Sequence, residues 1–269
     1  MSKEKSAQLA KNSKIKCLKL VHEADASHIG GAFSIADILA VLYSDVLKYN
    51  IADTAWNERD RLFYSKGHAC TILYATLQEC GFFSLEMLNS FSKDGSYLTT
   101  HINHKVPGIE LSTGSLGHAM SVACGVALAG KLKKQSWKTF CILSDGELDE
   151  GSNWEAIMFA AHHQLSNFTL IIDFNKIQSL GNTKEVMNLD PLKEKFEAFN
   201  FNALEIDGHN HDEILKSLNY NNNFHKPKVI IANTIKGKGV KFMENQLAWH
   251  YKSPNLEQYT EAVKQIQES

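Results

Sequence analysis

Asp145, in SDGELDEGSNWEA, and Asn175, in DFNKIQ, stand about thirty positions apart, each just beyond a short apolar run. A carboxylate, an amide oxygen and a nearby backbone carbonyl make a hard oxygen site. Mg²⁺ takes such a set when phosphate oxygens and water complete its octahedron. Gly146, next to Asp145, lets backbone approach a diphosphate closely. Two plainer readings compete. A calcium loop counted from Asp145 puts Glu150 where glycine is required and Ala156 where glutamate is required, so it fails. An isolated Asp-Gly is most often a turn or a cap, so the pair carries chemistry only if the fold brings both residues to one place.

The elements around the pair supply such a fold. Residues 139–143 (TFCIL) form a buried strand ending at Ser144-Asp145-Gly146, and 168–173 (FTLIID) form the next. Between them, 152–165 carry Ala156, Ile157, Ala160 and Ala161 at helical spacing. Strand, helix and returning strand place Asp145 and Asn175 at the carboxyl edge of one parallel sheet, where ligands of open α/β sheets bind. Further on, Asp190 reads as an N-cap with Pro191 at the first helical position, opening LKEKFEAF. Strands follow at 201–206 and 228–232 (KVIIA), with an Asn-rich turn at 219–223. Before residue 115 the pattern is mostly helical, including 35–47 and 69–81, the second ending at glycine. Residues 115–133 also read as helix, and after Val240 a loop leads to a polar C-terminal helix. The expected fold is one α/β domain over 1–269, a doubly wound, mostly parallel sheet flanked by helices.

Composition narrows the function classes. A net charge of −2 gives no field drawing the chain to nucleic acid or an anionic membrane. The first twenty residues lack the apolar core and cleavage site of a signal peptide, and no stretch is long and apolar enough to span a membrane. Five scattered cysteines without a CxxC pair read as free thiols in a reducing cytoplasm. Only Arg59 and Arg61 among 28 basic residues are arginine. Since arginine forks are the favoured grip on phosphates, binding of a phosphorylated substrate would fall largely to another chain. Of twelve histidines, His162, His163, His211 and His225 read as surface or packing residues. His101 and His104 have no second pair at zinc-ligand spacing.

SDGELDEGSNWEA followed by DFNKIQSLGNT resembles the thiamine-diphosphate fingerprint, and specifically that of transketolases. The resemblance runs along nearly the whole chain: ASHIGGAFSIADILAVLY at 26–43, DRLFYSKGHACTILY at 60–74, VPGIELSTGSLGHAMSVACGVALAG at 106–130, then DPLKEKFEAF, EIDGHN and TIKGKGVKFMENQLAWH. It is nearest to transketolases split into two polypeptides, with this chain as the N-terminal subunit. It implies Mg²⁺ (or Ca²⁺ or Mn²⁺) held by Asp145, Asn175 and the Ile177 carbonyl. Gly146 would lie against the diphosphate, and Gly114, Ser115, Leu116 and Gly117 would pack near the cofactor. Glu150 and Glu155 match acidic residues near the dimer interface. His28 and His68 would line cofactor and reacting carbons, His101 would bond the donor's terminal hydroxyl or carbonyl, and His250 would exchange a sugar-hydroxyl proton near neutral pH. Ser144, Phe174 and His118 depart from the family's usual residues.

The resemblance implies ketol transfer: a two-carbon unit passes from a ketose, as sugar or sugar phosphate, to an aldose, with thiamine diphosphate as electron sink. The activating glutamate belongs to a pyrimidine-binding domain, so a C-terminal partner subunit, in a heterotetramer, is implied. The alternatives are a half-subunit of another thiamine enzyme (deoxyxylulose-phosphate-synthase-like or 2-oxoacid-decarboxylating) and a non-catalytic scaffold subunit.

Overall fold

The structure is a computed structural model and describes residues 2–220 and 225–268. Its centre is a five-stranded parallel sheet of β1 (Arg61–Tyr64), β2 (Thr139–Ser144), β3 (Phe168–Phe174), β6 (Asn202–Asp207) and β7 (Lys228–Asn233), in the order β1-β2-β3-β7-β6. A short antiparallel ribbon, β4 (Ile177–Gln178) with β5 (Gly181–Asn182), follows β3.

The central strands read as unbroken apolar runs because both faces are covered. On β2, Phe140 and Ile142 enter one core while Cys141 and Leu143 enter the other. On β7, Ile230 and Ala232 divide from Val229 and Ile231 in the same way. The first core packs against helices Ser2–Glu23, Ile29–Ser34, Ala36–Val41, Cys70–Glu79, His211–Asn219 and Leu256–Glu268; the second packs against Ala119–Leu132, Gly151–His162 and Leu192–Ala198. Full burial of each large aliphatic side chain stabilises the fold by about 1.5–3 kcal/mol, so the two interfaces hold the strand ends in place.

Several expectations shift. The helical reading before residue 115 overlooked β1, an edge strand of four residues inside DRLFYSKGHACTILY, too short to display a period. The helix expected over 35–47 is divided: Ile29–Ser34, Ala36–Val41, then a π turn at Leu42–Val46. Pro191, with extended backbone, is itself the N-cap of Leu192–Ala198, so Asp190 is not the cap and proline is not the first helical residue. The helix expected from 115 begins at Ala119 because the glycines before it form a loop. The helix over 69–81 is Cys70–Glu79, closed by Gly81 N–H to Gln78 O and Phe82 N–H to Leu77 O, a Schellman ending. Of the turn expected at 219–223, Asn219 ends a helix and residues 221–223 lie outside the described residues.

Candidate active site

The chain leaves β1 and β2, and likewise β3 and β7, toward opposite faces. After β1 it enters Cys70–Glu79 on the first face, and after β2 it enters Gly151–His162 on the second. β3 leads to Leu192–Ala198 on the second face, whereas β7 leads to Val240, Met243 and Trp249 on the first. Such divergence opens a crevice beyond the carboxyl ends. Each of the four strands delivers a polar residue there within three positions of its end: Lys66, Asp145, Asn175 and Lys236. The cleft has a volume of about 330 Å³ and is also lined by His28, His68, Gly114, Leu116, His250 and Tyr251.

Asp145 and Asn175 therefore share one edge. Ser144 pairs with Asp173, and Asp145 N–H reaches Asp173 O at 3.3 Å. Asp145 is 1% exposed; its Oδ1 accepts Gly146 N–H at 2.8 Å and its Oδ2 accepts Lys176 N–H at 2.5 Å. Asn175 Oδ1 accepts Ile177 N–H at 3.2 Å, and the Ile177 carbonyl accepts Lys236 Nζ at 2.9 Å. Burial, then the charge of Asp173, pushes the Asp145 carboxyl up to about 6. Gly146 has a packing reason to be glycine: a Cβ there would come within 2.7 Å of Gln178 Cβ on the ribbon.

Beneath the cleft lies a buried charge network. Asp173, fully enclosed, accepts from Lys66 Nζ, from Thr234 Oγ1 and from Ser34 Oγ at 2.6 Å, while Lys66 also donates to Gly31 O at 2.7 Å. Burial alone would raise the Asp173 carboxyl, but the Lys66 ammonium and these donors outweigh it and hold it below the usual range. Lys236 differs. It is 2% exposed, yet its hydrogen bonds go to neutral acceptors, Ile177 O and His250 Nδ1 at 3.0 Å, and burial lowers it to about 8. Neither lysine stood out in the sequence. The available signal was a lysine placed among glycines just after an apolar run, in YSKGHA and TIKGKG.

Three of the four histidines converge. The His28 ring centroid lies 5.2 Å from His68 and 5.0 Å from His250, and His68 stacks on His250 at 6.1 Å. His28 has φ 71° and ψ 18°, a left-handed backbone that costs energy in a non-glycine residue. Its N–H donates to His250 O at 3.0 Å. Burial, then His101 and Lys236, lowers His28 to about 4. Burial, then Lys66, drives His68 well down, and burial, then Lys236, brings His250 to about 3. All three are neutral imidazoles at pH 7, so the expectation that His250 titrates near neutrality is corrected: burial next to an ammonium disfavours its cation. His101 is exposed and sits behind Gly114, where an added Cβ would lie 2.9 Å from its ring.

The 114–117 loop is pinned from below by Glu147. Its Oε1 accepts Ser65 Oγ and Gly117 N–H, the latter at 2.9 Å, so one buried carboxylate ties the loop to the turns after β1 and β2. Gly117 has φ 79°, and a Cβ there would meet Ser152 Oγ at 2.5 Å and Glu150 Cβ at 2.8 Å. Gly114 and Leu116 line the cleft, with Ser115 between them on the same loop. Glu150 packs behind Gly117 rather than lining the cleft, and Glu155 is exposed in a separate groove with Ser121, Cys124, Gly125 and Phe159. Among the departures, Ser144 lines the cleft; Phe174 turns into the second core; His118 begins the helix at Ala119 and bonds Leu116 O at 2.8 Å.

Fold and site together define a class, a parallel α/β domain with a polar cleft at its strand ends. Residues 5–266 match the family described as "Transketolase, thiamine diphosphate binding domain", and the chain belongs to that family. It is 40% identical over 264 residues to one of the subunits named for the apulose-4-phosphate transketolase of Phocaeicola vulgatus, covering 97% of this chain and 93% of the relative. It is 39% identical over 252 residues to the 6-deoxy-6-sulfo-D-fructose transketolase subunit SqwG of Clostridium sp. strain MSTE9, covering 93% and 92%. The crystal structure of transketolase from Campylobacter jejuni superposes with a TM-score of 0.90 at 33% identity, over 98% of this chain but 42% of that one. The chain thus spans about two fifths of the length of such single-chain transketolases.

Proposed function

We propose that this chain is the diphosphate- and metal-binding subunit of a two-chain transketolase, an enzyme that moves a two-carbon ketol unit from a ketose to an aldose. The observation that carries the reading is the meeting of Asp145, Asn175 and the Ile177 carbonyl with Lys236, a buried ammonium bonded only to neutral acceptors. These residues fit thiamine diphosphate with a divalent metal. Asp145, raised beside a second buried carboxylate, calls for a cation, and Lys236 calls for an anion. No cluster of three or more His, Cys, Asp or Glu among the described residues could hold a metal alone, so phosphate oxygens would complete the set. Mg²⁺, or Ca²⁺ or Mn²⁺, would take Asp145, Asn175 and the Ile177 carbonyl.

When bound, thiamine diphosphate supplies the nucleophilic carbon and the electron sink for ketol transfer. Lys236 balances the diphosphate's charge, and the loop at Gly114 to Gly117 packs near the cofactor. The neutral rings of His28, His68 and His250 would hydrogen-bond sugar hydroxyls, each with one donor and one acceptor nitrogen, without placing further positive charge beside the two lysines. His101, exposed behind Gly114, would bond the donor's terminal hydroxyl or carbonyl. Arg59 is engaged by Glu110, with bonds of 3.1 and 2.7 Å, and Arg61 lies 4.0 Å over the Trp137 ring. A sugar phosphate would accordingly draw on the partner chain for arginine contacts.

The partner would be a pyrimidine-binding subunit that supplies the activating glutamate, assembled with this chain as a heterotetramer. Relatives that match this chain over most of their length and are named as transketolase subunits support this. So do the exposed apolar residues Val122, Met158 and Phe159 near Glu155, a surface suited to docking. No helix among the described residues is long and apolar enough to cross a membrane. The cysteines are free, which suits the cytoplasm. Two measurements test the reading. Ketol transfer by the purified chain with no partner added would refute the two-chain assignment. Asp145→Ala should abolish metal-dependent cofactor binding in the assembled enzyme, and unchanged affinity by calorimetry would refute the site.

A further inference from the structure

The ladder of β6 and β7 ends at Asp207 and Asn233, where Gly208 N–H still reaches Asn233 O at 2.8 Å, and no strand pairing continues past it. The amide of Ile235, in the turn after β7, therefore has no strand to bond. His209, in the motif EIDGHN, fills the gap: its Nε2 accepts Ile235 N–H at 2.8 Å. Its other nitrogen, Nδ1, lies 2.7 Å from Asp37 Oδ2. A backbone N–H can only donate, so Nε2 carries the lone pair and Nδ1 carries the proton, which it donates to Asp37.

Asp37 is built for that task. It is 7% exposed, with Lys14 Nζ at 3.3 Å and His211 Nε2 at 3.5 Å on Oδ1; His211 in turn lies 2.7 Å from Ser6 Oγ. Burial works against its charge, but Lys14 and the two imidazoles outweigh burial and keep it ionised. Gly208 admits the turn closely, since a Cβ there would collide with Thr234 Cγ2. On the far side, Gly237 N–H bonds Gly30 O at 2.9 Å, and a Cβ on Gly30 would meet Lys236 Cγ at 3.0 Å.

We infer that His209, oriented by Asp37, is a positioning residue for Lys236: it holds the amide of Ile235 and so sets how the next side chain enters the cleft. The inference rests on the proposed role of Lys236 opposite the diphosphate, and it assigns a task to EIDGHN, which none of the cleft residues explains. The full chain carries the first test. Long-range ¹H–¹⁵N spectra at neutral pH should show His209 as the Nδ1–H tautomer, and an Nε2–H tautomer would overturn the inference without any substitution. Hydrogen exchange at residues 234–238 should speed up at least about tenfold in His209→Leu, as expected for one lost hydrogen bond, and return toward wild type in His209→Gln, whose amide can both accept and donate. With the partner subunit present, the affinity for thiamine diphosphate with Mg²⁺ should fall about tenfold in His209→Leu and recover in His209→Gln. Equal affinity in wild type and His209→Leu would overturn the inference. Absence of cofactor binding in wild type, with the tautomer and exchange results intact, would instead sink the proposed function and leave the clamp on Ile235 standing.

Discussion

Replacing Lys236 by methionine separates what stabilises the chain from what equips it. The ammonium is 2% exposed, and burial brings its pKa from 10.5 to about 8. At about 1.4 kcal/mol per pKa unit, that shift weighs about 3 kcal/mol against the charged form at neutral pH. Methionine keeps most of the apolar stem and drops the charge, losing the bonds to Ile177 O and His250 Nδ1, about 1 kcal/mol each. The variant chain, without cofactor, should therefore be more stable than wild type by about 1 kcal/mol at pH 7. The sign reverses with pH. The folded-state pKa lies below the unfolded one, so the burden is full below about 8 and fades as pH rises toward 10.5, where wild type should overtake the variant. Lys228, shifted the same way by its own burial, is common to both chains and cancels. In the assembled enzyme, loss of a charged hydrogen bond worth about 1.5–3 kcal/mol should weaken cofactor binding about 10- to 150-fold. Urea unfolding across that pH range and calorimetry with thiamine diphosphate read the two effects. A variant that binds cofactor like wild type and is no more stable at neutral pH would refute the assignment of Lys236.

Acid should weaken what the cleft histidines contribute to stability. His28 and His250 sit at about 4 and about 3 when folded against 6.5 when unfolded, so their contribution is whole above pH 6.5 and is lost as pH falls through those values. Discounted for solvent contact, each is worth about 1 kcal/mol. Asp145, raised from 3.8 to about 6, works in the opposite sense between those values. With Asp145 common to both chains, the stability of wild type relative to His250→Asn should fall by about 1 kcal/mol as pH drops from 6.5 to 4; an unaltered difference between the two would count against the cause. Glu147→Gln should be nearly neutral in thermal melts, since its amide oxygen can still accept from Ser65 and Gly117. Glu147→Leu should cost about 1–3 kcal/mol by leaving donors unpaired, and equal melting of the two variants would remove Glu147 from its role. Gly117→Ala should destabilise by at least about 1 kcal/mol, because its φ of 79° and the 2.5 Å approach of Ser152 Oγ both oppose a side chain; a wild-type melting temperature would contradict that geometry.

The sequence alone determined the α/β class and the partnership of Asp145 with Asn175. Strands buried on both faces must be apolar throughout, so TFCIL, FTLIID and KVIIA are visible as runs, and the spacing of one strand–helix–strand unit puts both residues at the same edge. It also singled out His28, His68 and His250, though not that they touch. Only the tertiary structure decided the rest: that β1 is a strand, that Lys66 answers Asp173, that Glu147 gathers three loops, that Lys236 lies buried with neutral partners, and that burial keeps the histidines uncharged. Local pattern reports which residues avoid water, because apolar burial repeats with the period of a helix or strand. A buried charge has no period. Its partner is chosen by which distant turns the packed sheet brings together, and its protonation follows from the desolvation that only the assembled fold imposes.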